Sequence, residues 1–396
     1  MSDILLESNW LVFGLFLVAL VIGFWQGHWY ANRSHSGDAP PLNKSGLAGL
    51  NFLLKEKPDV AIDTFVRSLD VNSDTLETHL GLGKLLRRQG EVDRAIKVHQ
   101  NLLARPNLSV SQQHQAEYEL ALDFVKSGLY DRAEHLLLTL NDRKSQYTEA
   151  SLLSLIDIYQ SEKEWHKALS AALAVSAYAN KKDSKSYASL MAHFCCEIAV
   201  NCMANNDLDS AKRSVKQALI YDKSSLRANV LACRYDVKPG NLRKALSSLK
   251  KLLYDHPAYI DHVLPTIASA YQVLDDPRSY RYFLESFYSQ FGSFAVMKAL
   301  SDEVAQLEGV VEAAEYVSSQ IKHNPSLKGI NLLLSYYLLF SRGRTLEHLQ
   351  SLEKVLMDIL KKTKPYRCNS CGFKTHELHW HCPTCRTWDS IQPADE

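Results

Sequence analysis

The sequence predicts an all-α chain of stacked helix pairs that carries a small metal-binding module at its C-terminal end. A short motif returns along the chain at intervals of about 34 residues, and two closely spaced cysteine pairs lie near the C-terminus. An uncharged apolar stretch near the N-terminus adds a transmembrane helix. The predicted domains are an anchor over 1–32, a linker over 33–46, a repeat array over 47–363 and a metal module over 364–396.

The N-terminal stretch has the length and composition of a membrane span. No Asp, Glu, Lys or Arg occurs between Ser8 and Asn32. The segment from Trp10 to Tyr30 supplies the roughly 20 apolar residues that a helix needs to cross a bilayer. Aromatic residues stand at both of its ends, as is typical of membrane interfaces. A cleaved signal peptide would instead have a basic N-terminal region and a small-residue cleavage site, and a buried core helix is the remaining alternative.

The charges around this span predict its orientation. Asp3 and Glu7 precede it, whereas Arg33 and Lys44 follow it. Because positive residues favour the cytoplasmic side, the N-terminus is expected outside and the body in the cytoplasm. Free cysteines suit such a reducing compartment. Residues 33–46 are small, polar and proline-containing, which is typical of a linker.

The middle of the chain is built from a repeated motif. Segments such as GEVDRAIKVHQNLL and GLYDRAEHLLLTL place an alanine five residues after a glycine or another turn residue. The residues at this motif position are Ala61, Ala95, Ala133, Ala168, Ala211, Ala245, Tyr280 and Ala314. In chain order their spacings are 34, 38, 35, 43, 34, 35 and 34 residues. This is the tetratricopeptide period, and residues 47–363 hold about nine units of that length.

The motif has a physical explanation as a helix hairpin. Glycine or asparagine takes the turn, where positive φ is often needed, and a small alanine lets the paired helices approach closely. One pair cannot bury its apolar face alone, so the pairs are expected to stack into a superhelical solenoid that binds peptides or protein surfaces. In this register Cys202 and Cys233 are packing residues, and the adjacent Cys195 and Cys196 are wrongly spaced for a metal knuckle.

The C-terminal cysteines form a strong metal-binding pattern. Two C-x-x-C pairs are separated by ten residues, and tetrahedral sulfur ligation suits zinc or iron. The predicted ligands of one metal ion are Cys368, Cys371, Cys382 and Cys385. Gly372 follows the first pair, where a glycine helps the turn. His376, His379 and His381 lie between the second and third cysteines, but their spacing fails the H-E-x-x-H motif, so we expect them to be loop or surface residues.

Three roles compete for this site: electron transfer, nucleic-acid binding and structural stabilisation. A formal net charge of +1 removes the electrostatic basis for a general nucleic-acid binder, so no nucleic-acid partner is expected. A module of roughly 30 residues cannot build a useful core and commonly depends on a metal for stability, which favours the structural role. We expect the module, joined to the last repeat through Pro365, to cap the solenoid and to dock against it.

The sequence contains no recognisable catalytic motif. LGLGKLL, which includes Gly83 and Lys84, lacks the glycine spacing and the Ser or Thr of a phosphate-binding loop. Neither a G-x-S-x-G nucleophile elbow nor a dinucleotide-binding fingerprint is present. No enzyme activity and no catalytic residue are therefore predicted.

The order of anchor, tetratricopeptide repeats and four-cysteine module resembles the lipopolysaccharide assembly protein B family of Gram-negative bacteria. The most specific stretch is KPYRCNSCGF…WHCPTCRTWDSI, which looks like the rubredoxin-type, zinc-ribbon tail of that family. The family's metal ligands carry over onto the four cysteines named above. Arg386 is a departure, because many rubredoxin-type modules have glycine there, and it weakens the electron-transfer role more than the structural one.

The resemblance implies a single-pass protein of the bacterial inner membrane that regulates lipopolysaccharide synthesis. It implies an adaptor that promotes turnover of the committed-step deacetylase of lipid A synthesis by a membrane-bound AAA+ metalloprotease. It also implies contact with an inner-membrane lipopolysaccharide sensor protein. Two alternatives stay open: a scaffold for synthesis and export enzymes that directs no proteolysis, and a redox protein with a repeat-based docking platform. The oligomeric state and the native metal, zinc or iron, also stay open.

Overall fold

The computed structural model describes residues 76–394 apart from 107, 179–180 and 237. Within these residues the chain is mostly helical, with three short strands near its C-terminal end. The chain divides into two compact units, Met1–Leu136 and Leu137–Glu396. The two units are described separately below.

The described part of the first unit consists of antiparallel helices joined by left-handed turns. Its helices are α1 Leu76–Gln89, α2 Val92–Leu103, α3 Val110–Ser127 and the beginning of α4 Tyr130–Asp142. Gly90 and Gly128 end α1 and α3 with φ of 89° and 77°, a region that favours glycine. Ala95 and Ala133 are fully buried, as the motif predicts.

A buried group of charges ties α1, α2 and α3 together. Asp123 of α3 is fully buried; its Oδ1 accepts a hydrogen bond from Arg87 Nη1 at 2.7 Å, and its Oδ2 lies 2.5 Å from His99 Nδ1. His99 is also fully buried, and its ring lies directly against the Cα of Gly83 in α1. The imidazole is thus held between a carboxylate and a glycine that leaves room for it.

Gly83→Ala is expected to destabilise the first unit by about 1–3 kcal/mol, because the new methyl group would overlap the pinned His99 ring. Gly81→Ala in the same helix is the matched control. A Cβ at Gly81 meets nothing within 4 Å, so that substitution should stabilise the helix by about 0.5–1 kcal/mol. Denaturant unfolding of the two variants measures the difference, and equal stabilities would contradict the packing explanation.

The second unit continues the same helix pairs. Its helices are α5 Thr148–Glu162, α6 Trp165–Ser176, α7 Lys181–Ala204, α8 Leu208–Tyr221, α9 Leu226–Tyr235, α10 Pro239–Asp255, α11 Ile260–Leu274, α12 Pro277–Phe291, α13 Phe294–Leu307, α14 Val310–His323, α15 Leu327–Phe340 and α16 Arg344–Leu360. A 3-10 turn, Pro257–Tyr259, precedes α11. The odd-numbered helices are the first members of their pairs.

The repeat motif predicts the contacts within most of these pairs. Ala168, Ala211 and Ala314 are at most 1% exposed and pack where two helices of a pair meet. The turn residues Lys163 and Asn206 both have φ of 60°, the left-handed conformation that was expected of the turn. The interior is close-packed and apolar, with Cys195, Cys196 and Cys233 buried among aliphatic residues and Cys202 half-buried beside them. The prediction that Cys202 and Cys233 are packing residues is confirmed, and the adjacent Cys195 and Cys196 are buried in the same interior.

One pair departs from the predicted register. Gly240 was expected at the turn before α10, but Pro239 already occupies the first position of that helix and Gly240 lies inside it. Proline is favoured at this position because its missing N–H is not needed there and its φ is already helical. As a result Leu242 is 1% exposed, whereas the predicted contact residue Ala245 is only half-buried.

The described residues contain eight helix pairs, from α1–α2 to α15–α16. The tetratricopeptide-like repeat prediction is confirmed for this part of the chain. The predicted anchor (1–32), the linker (33–46) and the first unit around Ala61 lie outside the described residues. Between residues 76 and 394 no helix combines the length and the apolar composition that crossing a membrane requires.

The three strands form a small antiparallel sheet after α16. They are β1 Tyr366–Cys368, β2 Lys374–Thr375 and β3 Ile391–Pro393, in the order β2-β1-β3. Cys368 pairs with Ile391, and Arg367 pairs with Lys374 on one side and with Gln392 on the other. The sheet brings both ends of the cysteine-containing segment together.

Candidate metal centre

Each C-x-x-C pair folds as a knuckle closed by a left-handed residue. In the first knuckle Gly372 N–H donates to the Cys368 carbonyl at 2.9 Å, and Gly372 has φ of 76°. In the second knuckle Arg386 N–H donates to the Cys382 carbonyl at 2.9 Å, and Arg386 has φ of 59°. The two knuckles therefore have the same backbone geometry, although a non-glycine residue occupies the left-handed position in the second.

The four sulfur atoms have the spacing that a tetrahedral metal requires. Cys368 Sγ lies 3.6 Å from Cys385 Sγ, Cys371 Sγ lies 3.7 Å from Cys382 Sγ, and all four lie within 4.8 Å of one another. A zinc–sulfur bond of ~2.3 Å gives a tetrahedron with edges of about 3.8 Å. These sulfurs are too far apart for disulfide bonds, which measure about 2.05 Å. The four cysteines are thus positioned to bind one metal ion.

The thiol pKa values differ among the four predicted ligands: those of Cys368 and Cys385 are lowered, and that of Cys371 is raised. Hydrogen bonds from Thr387 lower the pKa of Cys385 to about 5, and the contact with Ser390 lowers the pKa of Cys368. The Phe373 amide favours the Cys371 thiolate, but burial and the neighbouring cysteines outweigh it and raise the pKa of Cys371 to about 12. A bound cation would compensate the crowded negative charge and release the remaining protons.

The module has a very small apolar core. Its buried hydrophobic residues are Cys368, Cys382 and Ile391, surrounded by half-buried Tyr366, Phe373 and Leu378. Two of its three core residues are therefore predicted metal ligands. This composition supports the expectation that a metal, rather than apolar burial, stabilises the module.

The histidines of the module are not placed among the sulfurs. The group of side chains that could hold a metal here comprises the four cysteines alone. His376 and His379 are exposed, as expected. His381 is half-buried, however; its Nε2 lies 2.8 Å from the Arg386 carbonyl oxygen, and its ring stacks on Trp388 with centroids 4.4 Å apart. His381 lies outside the three strands, so it is a loop residue as expected, although it is only partly exposed.

Trp388 anchors the module on the helix pairs of the second unit. Its ring lies between His381 and His193 of α7, with the His193 centroid 4.7 Å away, and it meets the edges of Trp165 and Phe194 at 6.2 and 6.1 Å. Its Nε1 donates to Gln160 Oε1 at 2.7 Å. A large aromatic ring with its single polar atom satisfied is a strong contact for one side chain.

Polar contacts flank this tryptophan on both sides. Arg386 Nη1 donates to Ser161 Oγ of α5 at 2.6 Å. Asp389 Oδ2 lies 2.7 Å from His193 Nε2, and His193 is 2% exposed. Burial raises the pKa of Asp157 in α5, and the positive charge of Arg386 partly offsets this rise. Arg386 therefore has two structural roles: its backbone closes the second knuckle, and its side chain contacts a repeat helix.

A second tryptophan extends the contact to α11. Trp380 stacks on Tyr259 with centroids 6.3 Å apart and meets His262 edge-on at 5.6 Å. It packs against the apolar core formed by α9 to α13. Burial raises the pKa of Tyr259 to about 12 and lowers the pKa of His262. The module therefore packs on helices α5, α6, α7 and α11, which agrees with the expectation that it docks against the array.

The sequence identified the ligands but not these docking residues. Trp380, Arg386, Trp388 and Asp389 lie within four positions of Cys382 or Cys385, yet their partners are about 120 to 230 positions earlier in the chain. No local spacing pattern encodes such distant partners. The unusual Arg386 was the only signal, since an arginine in a left-handed position calls for a compensating contact.

Comparison with known proteins identifies the family. Residues 366–393 match the family model described as Rubredoxin metal binding domain. Lipopolysaccharide assembly protein B of Escherichia coli strain K12 is 32% identical over 384 residues, which cover 97% of this chain and 97% of the relative. The chain belongs to the lipopolysaccharide assembly protein B family. The Haemophilus influenzae strain Rd member is 30% identical, covering 97% of this chain and 98% of the relative.

Among solved structures, a tetratricopeptide repeat protein from Parabacteroides merdae aligns with 72% of this chain and 100% of its own, at 11% identity and a TM-score of 0.34. In this member of the lipopolysaccharide assembly protein B family, the evidence for the repeat architecture is the series of helix pairs described above. The metal module that the family model describes coincides with the four-cysteine knuckles and the docking tryptophans.

Proposed function

We propose that this chain is a non-catalytic adaptor of the bacterial inner membrane that regulates lipopolysaccharide biosynthesis. In this proposal it brings the committed-step deacetylase of lipid A synthesis to a membrane-bound AAA+ metalloprotease, which degrades it. An inner-membrane lipopolysaccharide sensor protein controls the process through contact with the adaptor. The segment Trp10–Tyr30 holds the chain in the membrane as a single span, with the N-terminus in the periplasm and the repeats in the cytoplasm.

One observation carries the adaptor hypothesis: the metal module is built into the repeat array by the residues that flank its ligands. Trp388, Arg386 and Asp389 are committed to contacts with α5 and α7. A metal ion in this module would hold its docking residues in a fixed position against the helices. A rigid surface of this kind suits a protein that binds other proteins. Helix pairs of this type supply extended surfaces for proteins and no reactive groups of their own.

The electron-transfer alternative needs a separate test. A redox centre exchanges electrons through an exposed face, and at this site Cys371 is exposed and Cys385 half-buried. Metal analysis of the purified protein separates the two functions. A colourless zinc protein supports the structural role, and a red iron protein with a reversible potential supports the redox one.

The first experiment is the half-life of the deacetylase after depletion of this protein in its native host. We expect a clearly longer half-life, restored by the wild-type chain but not by a version without Trp10–Tyr30. An unchanged half-life would refute the adaptor function. In that case the scaffold that organises synthesis and export enzymes, without directing proteolysis, becomes the better hypothesis.

A further inference from the structure

One short segment of the metal module faces two different neighbours. The segment Thr387–Ser390 follows Cys385, the last cysteine of the second knuckle. Its two middle side chains, Trp388 and Asp389, contact Gln160 of α5 and His193 of α7, as described above. The two outer side chains instead contact sulfur atoms of the metal site. Two docking residues therefore stand between two residues that contact the predicted ligands.

The two sulfur contacts reach both knuckles. Thr387 Oγ1 lies 3.4 Å from Cys385 Sγ, and Ser390 Oγ lies 3.3 Å from Cys368 Sγ. A metal-bound thiolate carries no proton, so in that state each hydroxyl donates the hydrogen bond and the sulfur accepts it. Groups in such positions orient the ligands of a metal site and tune their affinity for the metal, although they do not bind the metal themselves.

Main-chain hydrogen bonds fix the segment at both of its ends. Cys382 N–H donates to the Thr387 carbonyl at 3.1 Å, and Asn369 N–H donates to the Ser390 carbonyl at 2.7 Å. The Ser390 hydroxyl also lies 2.8 Å from the Thr387 carbonyl oxygen, which closes the segment into a compact turn. Because both ends are tied to the knuckles, a displacement of the sulfur ligands also displaces Trp388.

We propose that Thr387 and Ser390 couple metal ligation to the docking of the module on α5 and α7. Their hydroxyls stabilise the thiolates that bind the metal, and the same segment presents Trp388 to Gln160. When a metal is bound, the segment is held in position for docking, and a docked segment presents both hydroxyls to the sulfurs. Such coupling is reciprocal: the factor by which the metal strengthens docking equals the factor by which docking strengthens metal binding. This inference goes beyond the adaptor function, because it applies equally to an adaptor and to a scaffold.

Zinc affinity of the purified full-length chain in detergent, measured by competition with a chelator, tests the role of the hydroxyls. Thr387→Val removes the hydroxyl and nearly keeps the shape of the side chain. We expect its zinc affinity to fall by a factor of roughly 10–100, as is typical of substitutions in this outer shell. Thr387→Ser keeps a hydroxyl and should restore the parental affinity. Thr384→Val is the matched control, because it makes the same change at an exposed position within the second knuckle.

Ser390→Ala should weaken zinc binding in the same direction. Because this change also removes the contact with the Thr387 carbonyl, Thr387 is the cleaner position. Zinc affinities of Thr387→Val and Thr384→Val that agree would overturn the proposal.

Substitution of cobalt for zinc separates a hydrogen bond to sulfur from a general loss of structure. Co²⁺ bound by thiolates absorbs light through sulfur-to-metal charge transfer, and the energy of that band depends on the electron density at sulfur. Loss of a hydrogen bond raises this density, so the band of Thr387→Val should move to longer wavelength. The bands of the parent chain and of Thr384→Val should coincide. An unshifted band in Thr387→Val would overturn the assignment of Thr387 as a donor to the thiolate.

The reciprocal measurement starts from the docking residue. Trp388→Ala should still bind one zinc ion at saturating metal, but its zinc affinity should fall by about fivefold or more if docking and ligation are coupled. His379→Ala, an exposed change on the same module, should bind zinc like the parent. In the other direction, hydrogen exchange of α5 near Gln160 at saturating zinc should be faster in Thr387→Val than in Thr384→Val.

Parental zinc affinity in Trp388→Ala, or equal exchange in the two threonine variants, would overturn the coupling. These readings need neither deacetylase nor protease. They therefore fail independently of the half-life experiment, which tests the adaptor function itself.

Discussion

Replacing Cys371 and Cys385 by serine is expected to abolish metal binding and to unfold residues 366–393, while the helix pairs remain folded. A structural zinc ion contributes about 10–16 kcal/mol to modules of this kind. The remaining core, essentially Ile391 with half-buried neighbours, cannot replace that contribution. Cys371 is exposed and Cys385 half-buried, so the serine hydroxyls reach water and the effect reports on the metal rather than on core packing.

The measurements are metal content by mass spectrometry, far-ultraviolet circular dichroism and hydrogen exchange. We expect metal to fall from one equivalent per chain to near zero and amides of 366–393 to lose protection. The helical signal should persist. Cys202→Ser is the control, because it removes a half-buried thiol far from the site in sequence and should keep the metal. Protection of 366–393 without metal would show that burial, not ligation, holds the module.

The sequence predicts the metal centre because its information is local. Four ligands fall within 18 residues, and the backbone of each knuckle brings its own pair together. The position of the module is not predictable in this way. Trp388 meets Gln160 of α5 and His193 of α7 only because the chain returns to them after eleven and nine further helices, respectively. One sequence does not show which distant surfaces will be complementary.

The repeats show a similar limit. The alanine and turn positions predict most helix pairs, because close approach and positive φ restrict the residue type at those places. The pair with Gly240 fails since Pro239 starts the helix earlier, and the local preference of proline outweighs the repeat register. Likewise the buried group around Asp123 is invisible in the sequence, where a polar residue on a helix normally indicates a solvent-facing position.

Trp388→Ala is expected to detach the module from the helices without removing its metal. Truncating a fully buried aromatic side chain costs about 3–5 kcal/mol, and Trp388 is half-buried, so we expect a loss below that range. The stacking on His193, the edge contacts with Trp165 and Phe194 and the hydrogen bond to Gln160 would all be lost. The four ligands stay in place, so metal content should remain at one equivalent per chain. Hydrogen exchange should increase in α5 near Gln160 and in α7 near His193.

Two further variants serve as comparisons for Trp388→Ala: Trp388→Phe, which is a milder change, and His379→Ala, which is a control. Phenylalanine keeps the aromatic contacts and loses only the Nε1 hydrogen bond, so docking should weaken by about 1 kcal/mol. His379 is exposed on the same module, and its removal should leave docking unchanged. If regulation of the deacetylase requires the docked module, its half-life should lengthen with Trp388→Ala and stay normal with His379→Ala. A normal half-life in a metal-loaded but detached variant would instead assign the regulation to the helix pairs alone.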